Sequence, residues 1–230
     1  MNLKFFVFNP RDPHPFAQEV ATQTYDMWRE VWLAALGELE GAKDLKSDDF
    51  TRQEQIGVLL EDGVAIGSVF FANVDLAKPM WRKDSYFSAW PEDTMVKIGR
   101  EYSTVLVCSY FTLSQNYRRS SQGFNGKQLL SALAVEHFFN TESSAMVGTM
   151  RVNRGMHTLC YDLHALPIER DLEMHGVKVD LVLFDQKRLK SDLTLRGPMA
   201  REAHEIYAAS QLEWLSRRRL RSVEPGSEAA

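Results

Sequence analysis

The residues best suited to chemistry crowd into one stretch of the chain: Arg118, Arg119, Gln122, Gly123, Asn125, Gly126 and Lys127. Before them runs Val105–Leu113, rich in β-branched and aromatic residues, which reads as a strand. After them, from Gly126 to Phe139, the residues Leu129, Leu130, Leu133, Ala134 and Phe138 recur at helical spacing. A strand that gives way to a polar, Gly-containing loop and then to a helix aims free backbone N–H groups and the positive helix end at one point. That is the physics of a phosphate or diphosphate site. Arg118, Arg119 and Lys127 would add charge to it. The same features also describe an ordinary solvated basic turn.

The elements that must position this loop can be read along the chain. Its 230 residues, 44% hydrophobic and 25% charged, suit one α/β domain with a sizeable core, or a domain with an appendage. A net charge of −4 gives no support to bulk nucleic-acid binding. No apolar run approaches the roughly 20 residues needed to span a bilayer, and the short run Phe5–Phe8 before a Pro-rich segment reads as a first strand rather than a signal peptide. The expected location is cytoplasmic. Cys108, in a strand, and Cys160, in a short helix, read as reduced core thiols. The six histidines show no metal-ligand spacing.

A helix is expected from Phe16 to Leu36, a hairpin turning at Asp62-Gly63, a fifth strand over 144–152, a short helix over 154–163, and a closing hairpin turning at His175-Gly176. Trp28 and Trp32 on the first helix are either core residues or cleft lining. Residues 72–103 hold Trp81, Phe87 and Trp90 without clean periodicity. They form either a substrate-covering insertion or a satellite cluster at the sheet edge. The division expected is a domain over 1–196, then a helical extension over 197–230 that packs on the core or pairs two copies, ending in a disordered tail.

Leu113-Ser-Gln-Asn-Tyr-Arg118 and Gly126-Lys-Gln-Leu-Leu130 resemble the donor-binding segment of the GCN5-related N-acetyltransferases, with a longer loop between Arg118 and Gly126. The resemblance covers about residues 15–187. It implies an α/β fold, a mixed and mostly antiparallel twisted sheet with splayed central strands flanked by helices, plus the C-terminal helix. It implies an N-acyltransferase whose cofactor is acyl-CoA, or the phosphopantetheine of an acyl carrier protein, and whose acceptor is a small or amino-acid-like amine. The donor would be held by Tyr110, Phe111, Thr112 and Leu113 of the fourth strand, by the loop from Arg118 to Lys127 with Phe124 at a family glycine position, and by Asn153.

Glu101, before the fourth strand, would be the base. The family's acid falls on Tyr161 counting back from Ala165-Leu166, and on Cys160 counting forward from Asn153. Trp28, Trp32, Trp81, Phe87 and Trp90 would face substrate. Arg29-Glu-Val-Trp32 and Ser47-Asp-Asp-Phe50 are similar in placement to segments of acyl-homoserine lactone synthases and long-chain N-acyl amino acid synthases. A degenerate fold used only for binding is the third reading.

Overall fold

In the computed structural model, residues 2–118, 125–191 and 197–221 are described, the last four of these by backbone alone. The chain runs β1 (Leu3–Phe8), α1 (Pro15–Glu40), α2 (Asp48–Thr51), β2 (Gln55–Glu61), β3 (Val64–Val74), α3 (Glu92–Glu101), β4 (Val105–Leu113), α4 (Gly126–Phe139), β5 (Ala145–Arg151), α5 (Met156–Asp162), β6 (Leu166–Met174), β7 (Val177–Asp185), α6 (Gln186–Ser191) and α7 (Pro198–Arg221). The strands form one sheet in the order β1-β2-β3-β4-β5-β7-β6. Every neighbouring pair is antiparallel except β4 and β5.

Both faces of the sheet are covered, and period-2 alternation sorts the side chains between them. Phe5, Leu59, Phe71, Leu106, Met146 and Val182 join Leu129, Leu130 and Phe138 of α4 on one face. On the other face Phe6, Val58 and Phe70 pack with Val20 and Trp28 of α1. Farther along that second face, Val105, Val147 and Leu181 pack with Phe87, Trp90 and Ile98. The segment 72–103 is therefore two short 3-10 turns, Trp81–Lys83 and Ser85–Phe87, followed by α3. The helix is buried through Thr94, Met95, Ile98 and Gly99, spaced as a short amphipathic helix requires.

Helix α7 packs along β1. Ser210 Oγ accepts the Phe5 N–H at 2.9 Å, and Gln211 Nε2 donates to the Phe5 carbonyl at 3.3 Å. Side chains of the helix thus pair backbone groups on the sheet's edge strand. His137 of α4 joins the same contact, with Nδ1 3.1 Å from the Tyr207 hydroxyl and Nε2 2.9 Å from Gln55 Oε1.

The feature that positions a site is the short pairing of β4 with β5. Only Val105–Cys108 pair with Ala145–Gly148. Beyond Cys108 the two strands separate, although β4 runs on to Leu113 and β5 to Arg151. The cause lies on the other edge of β4. Ser68 faces Thr112 and Phe70 faces Ser109, so β4 spends one more residue than β3 over that interval. The extra residue makes a bulge, with Tyr110 at φ 47°, and a bulge bends its strand and sharpens its twist.

Candidate active site

The opening between β4 and β5 is a cleft of about 780 Å³. Its walls are Val31, Trp32 and Ala35 of α1, Cys108–Phe111 and Leu113 of β4, and Thr149–Arg151 of β5. Gln115, Asn116, Arg118, Lys127, Arg154 and Met156 complete it.

Tyr110 holds a left-handed backbone conformation that costs a non-Gly residue about 1–3 kcal/mol. A buried relay fixes it. Trp32 Nε1 donates to Thr112 Oγ1 at 2.9 Å, and Thr112 Oγ1 donates to the Tyr110 carbonyl at 2.7 Å. The Tyr110 ring meets Trp32 edge-on at 5.0 Å and lies 5.6 Å from Trp28. Burial and the adjoining Asp49 push the Tyr110 hydroxyl up to about 12, so it stays protonated at neutral pH. Across the opening, the Thr149 N–H donates to the Tyr86 hydroxyl at 3.1 Å, and Trp90 Nε1 donates to Thr149 Oγ1 at 3.0 Å. The aromatic insertion thus braces the cleft wall from behind.

The cleft is electropositive. Arg118, Lys127, Arg151 and Arg154 line it, and no carboxylate does among the described residues. Arg118 Nε donates to the Leu113 carbonyl at 3.0 Å, Lys127 Nζ lies 3.4 Å from the Arg154 carbonyl, and Arg154 lies 3.4 Å from Glu38. At the start of α4 the Asn125 side chain accepts the Gln128 N–H. Gly126 is needed for packing there, because a Cβ would stand 2.9 Å from the Tyr117 carbonyl. A helix N-terminus flanked by Arg118 and Lys127 can hold a phosphate or diphosphate.

The site residues expected from sequence divide into several groups. Tyr110, Phe111, Leu113, Arg118, Lys127 and Trp32 line the cleft. Thr112 is fully buried and acts on the bulge, not on the cleft. Asn125 and Gly126 shape the start of α4. Arg119, Gln122, Gly123 and Phe124 lie outside the described residues. Trp28, Phe87 and Trp90 are buried in the core, and Trp81 stands on a surface turn. Asn153 is exposed beside the cleft, while its neighbours Arg151 and Arg154 line it.

The groups expected to be catalytic take the following places. Glu101 is the exposed last residue of α3, at the Val105 end of β4, where β4 and β5 are still paired. The strand carries the cleft away from it. Tyr161 turns from the cleft and donates to Asp180 Oδ2 at 2.6 Å. Burial and that carboxylate push its hydroxyl up to about 12. Cys160 is buried in the α4-side core, and burial raises its pKa. Burial also pushes Cys108, the one cysteine on the cleft wall, up to about 12, which makes it a poor nucleophile at neutral pH.

Thr149, Arg151 and Arg154 were not expected from sequence. The signal was present: β5 opens on the continuous apolar run Ala145–Gly148, after which Thr149 and Arg151 fall where a buried strand would carry aliphatic side chains.

No family model and no curated protein sequence matches the chain. Solved structures do match. The CoA-dependent acyl-homoserine lactone synthase BjaI, solved with SAM and isopentyl-CoA, aligns with a TM-score of 0.55 at 13% identity, over 88% of each chain. FeeM, an N-acyl amino acid synthase from uncultured soil microbes, aligns with a TM-score of 0.53 at 11% identity, over 86% of this chain and 98% of that one. A mosquito arylalkylamine N-acetyltransferase-like protein aligns with a TM-score of 0.54 at 16% identity, over 79% of this chain and all of that one. The chain shares the fold of these proteins, which is the fold of the GCN5-related N-acetyltransferases.

Proposed function

We propose that the protein is an N-acyltransferase that moves an acyl group from the thioester of coenzyme A, or of an acyl carrier protein's phosphopantetheine, to an amine. The observation that carries this reading is a cationic cleft, formed where β4 and β5 part and lined by no carboxylate among the described residues. The donor's phosphates lie against Arg118, Lys127 and the start of α4. Its extended pantetheine arm runs along the edge of β4 beyond Cys108, which has no partner on β5, and backbone N–H groups there pair with the arm's amides.

The amine nitrogen attacks the thioester carbonyl. The C–O double bond opens to an oxyanion held by backbone N–H groups. As the carbonyl reforms, the C–S bond breaks and the thiolate leaves. The proton lost by the nitrogen goes to water, and the thiolate takes one up. The raised pKa of Cys108 and the burial of Cys160 support direct attack over a covalent acyl-enzyme.

The apolar floor, with Cys108, Phe111, Leu113, Met150 and Met156, favours an acyl chain longer than acetyl. The structural likeness to the acyl-homoserine lactone synthase BjaI and the N-acyl amino acid synthase FeeM agrees with this second reading. Thiol release measured with acetyl-, hexanoyl- and dodecanoyl-CoA against a panel of amines tests both. Amide formation without a burst is expected, fastest with the longer chains. No turnover with any donor would leave only a binding role.

A further inference from the structure

The ladder between β4 and β5 ends at Cys108 and Gly148. The bulge at Tyr110 accounts for the departure of β4. What holds β5 back is visible at its next residue, Thr149. In an antiparallel pair, backbone groups point alternately toward and away from the partner strand. Gln186 donates its N–H to the Ser144 carbonyl at 2.9 Å, and the β5–β7 register runs unbroken from Ala145 opposite Asp185 to Arg151 opposite Val179. Met146, Gly148 and Met150 therefore turn their backbone groups to β7, whereas Val147 and Thr149 turn theirs to β4.

The Thr149 N–H thus points toward β4 at the place where the strands part, and there it donates to the Tyr86 hydroxyl at 3.1 Å. An oxygen in this position competes with the β4 carbonyls for that N–H. From the same segment, Trp90 Nε1 donates to Thr149 Oγ1 at 3.0 Å, so the aromatic insertion grips both the main chain and the side chain of Thr149. Tyr86 is itself fixed. Its N–H donates to Asp84 Oδ1 at 2.9 Å, at the head of the 3-10 turn Ser85–Phe87. Its ring meets Phe87 edge-on at 5.0 Å, and both Phe87 and Trp90 are buried. Burial pushes the Tyr86 hydroxyl up, so it stays neutral. Thr149 lines the cleft, whereas Tyr86 stands behind that wall.

We infer that Tyr86, seconded by Trp90, is a positioning residue of the acyl-transfer site: its hydroxyl holds Thr149 off β4 and so sets the width of the opening through which the thioester passes. This rests on the reading of the cleft as an acyl-donor site, and it gives the segment 72–103 a share in building that site without touching substrate.

Tyr86→Phe removes the oxygen and keeps the ring. The test compares hexanoyl-CoA with 3′-phospho-ADP, the nucleotide half of coenzyme A, in calorimetric titrations of wild type and variant. The nucleotide reaches Arg118, Lys127 and the start of α4 without entering between the strands. In Tyr86→Phe the Kd for hexanoyl-CoA is expected to rise about 5- to 10-fold, the size of one lost hydrogen bond, and kcat to fall with it. The Kd for 3′-phospho-ADP stays at the wild-type value. A purely structural role would lower Tm and move the two ligands together. Thr149→Val, which loses the acceptor for Trp90 but keeps the N–H, is expected to shift the same ratio in the same direction, and Thr149→Ser to restore it. If Tyr86→Phe melts too early to titrate, the two Thr149 variants decide.

An unchanged ratio of the two Kd values in the deciding variant, or equal losses for both ligands, overturns the inference and leaves the donor reading standing. Failure of the wild-type chain to bind hexanoyl-CoA overturns both.

Discussion

Thr112→Val isolates the device that opens the cleft. Thr112 is fully buried, accepts from Trp32 and donates to the carbonyl of the strained Tyr110. Valine matches threonine in shape, so no cavity is made. What disappears is two neutral hydrogen bonds, at about 1 kcal/mol each, or about 2 kcal/mol in all. For a chain of this size that lowers Tm by about 4–8 °C. The functional effect is larger in kind, because the relay then no longer holds Tyr110 at φ 47°. A relaxed β4 gains a straighter path along β5 and narrows the opening. Calorimetric titration with CoA is expected to show about a tenfold weaker Kd, equivalent to about 1.4 kcal/mol. Thr112→Ser, which keeps the hydroxyl, is expected to bind CoA like wild type. If Thr112→Val loses the expected Tm but binds CoA normally, the relay stabilises the fold without shaping the cleft, and the reasoning about the bulge fails.

Three further outcomes follow from the same geometry. Arg118→Ala and Lys127→Ala should each weaken CoA binding about 3- to 10-fold, less as salt rises, and should leave pantetheine binding unaffected. Glu101→Gln and Tyr161→Phe should keep turnover, since neither side chain lines the cleft. Tyr161→Phe should still lower Tm, because buried Asp180 loses a donor. A rate loss of about 100-fold or more in either variant, the scale of a general acid or base, would restore the role expected from sequence. His137 should make stability depend on pH, because burial lowers its pKa from 6.5 to about 4. The unfolded chain takes up the proton first, so stability is full above about pH 6.5 and falls by about 3 kcal/mol as pH drops to about 4. Denaturant titrations across that range should lose the slope in His137→Gln.

Much of the scaffold was legible because local rules and burial agree in it. The Asp62-Gly63 turn fixed the β2–β3 hairpin, and paired leucines on one face placed α4 at Gly126–Phe139 as expected. Helix α3 was missed because its ten residues follow two 3-10 turns, and the run of aromatics before it masked the helical period. That Arg118 and Lys127 stand beside the start of α4 was legible because a basic loop before a helix has a local signature. The distance of Glu101 from the cleft was not legible, because proximity to β4 in sequence says nothing of which end of the strand the opening occupies. That end is set by the bulge at Tyr110, held through Thr112 by a tryptophan 80 positions from that threonine. Thr149 and Arg151 left a trace in the sequence, as polar residues ending an apolar strand, but that they line an opening follows only from β5 losing its neighbour after Gly148.

A crystal structure grown with an acyl-CoA addresses the central claim most directly. The thioester is expected between Ser109–Leu113 and Thr149–Arg151, with the diphosphate at Arg118, Lys127 and the start of α4. A donor bound anywhere else, or a cleft that stays empty at saturating acyl-CoA, would contradict the account.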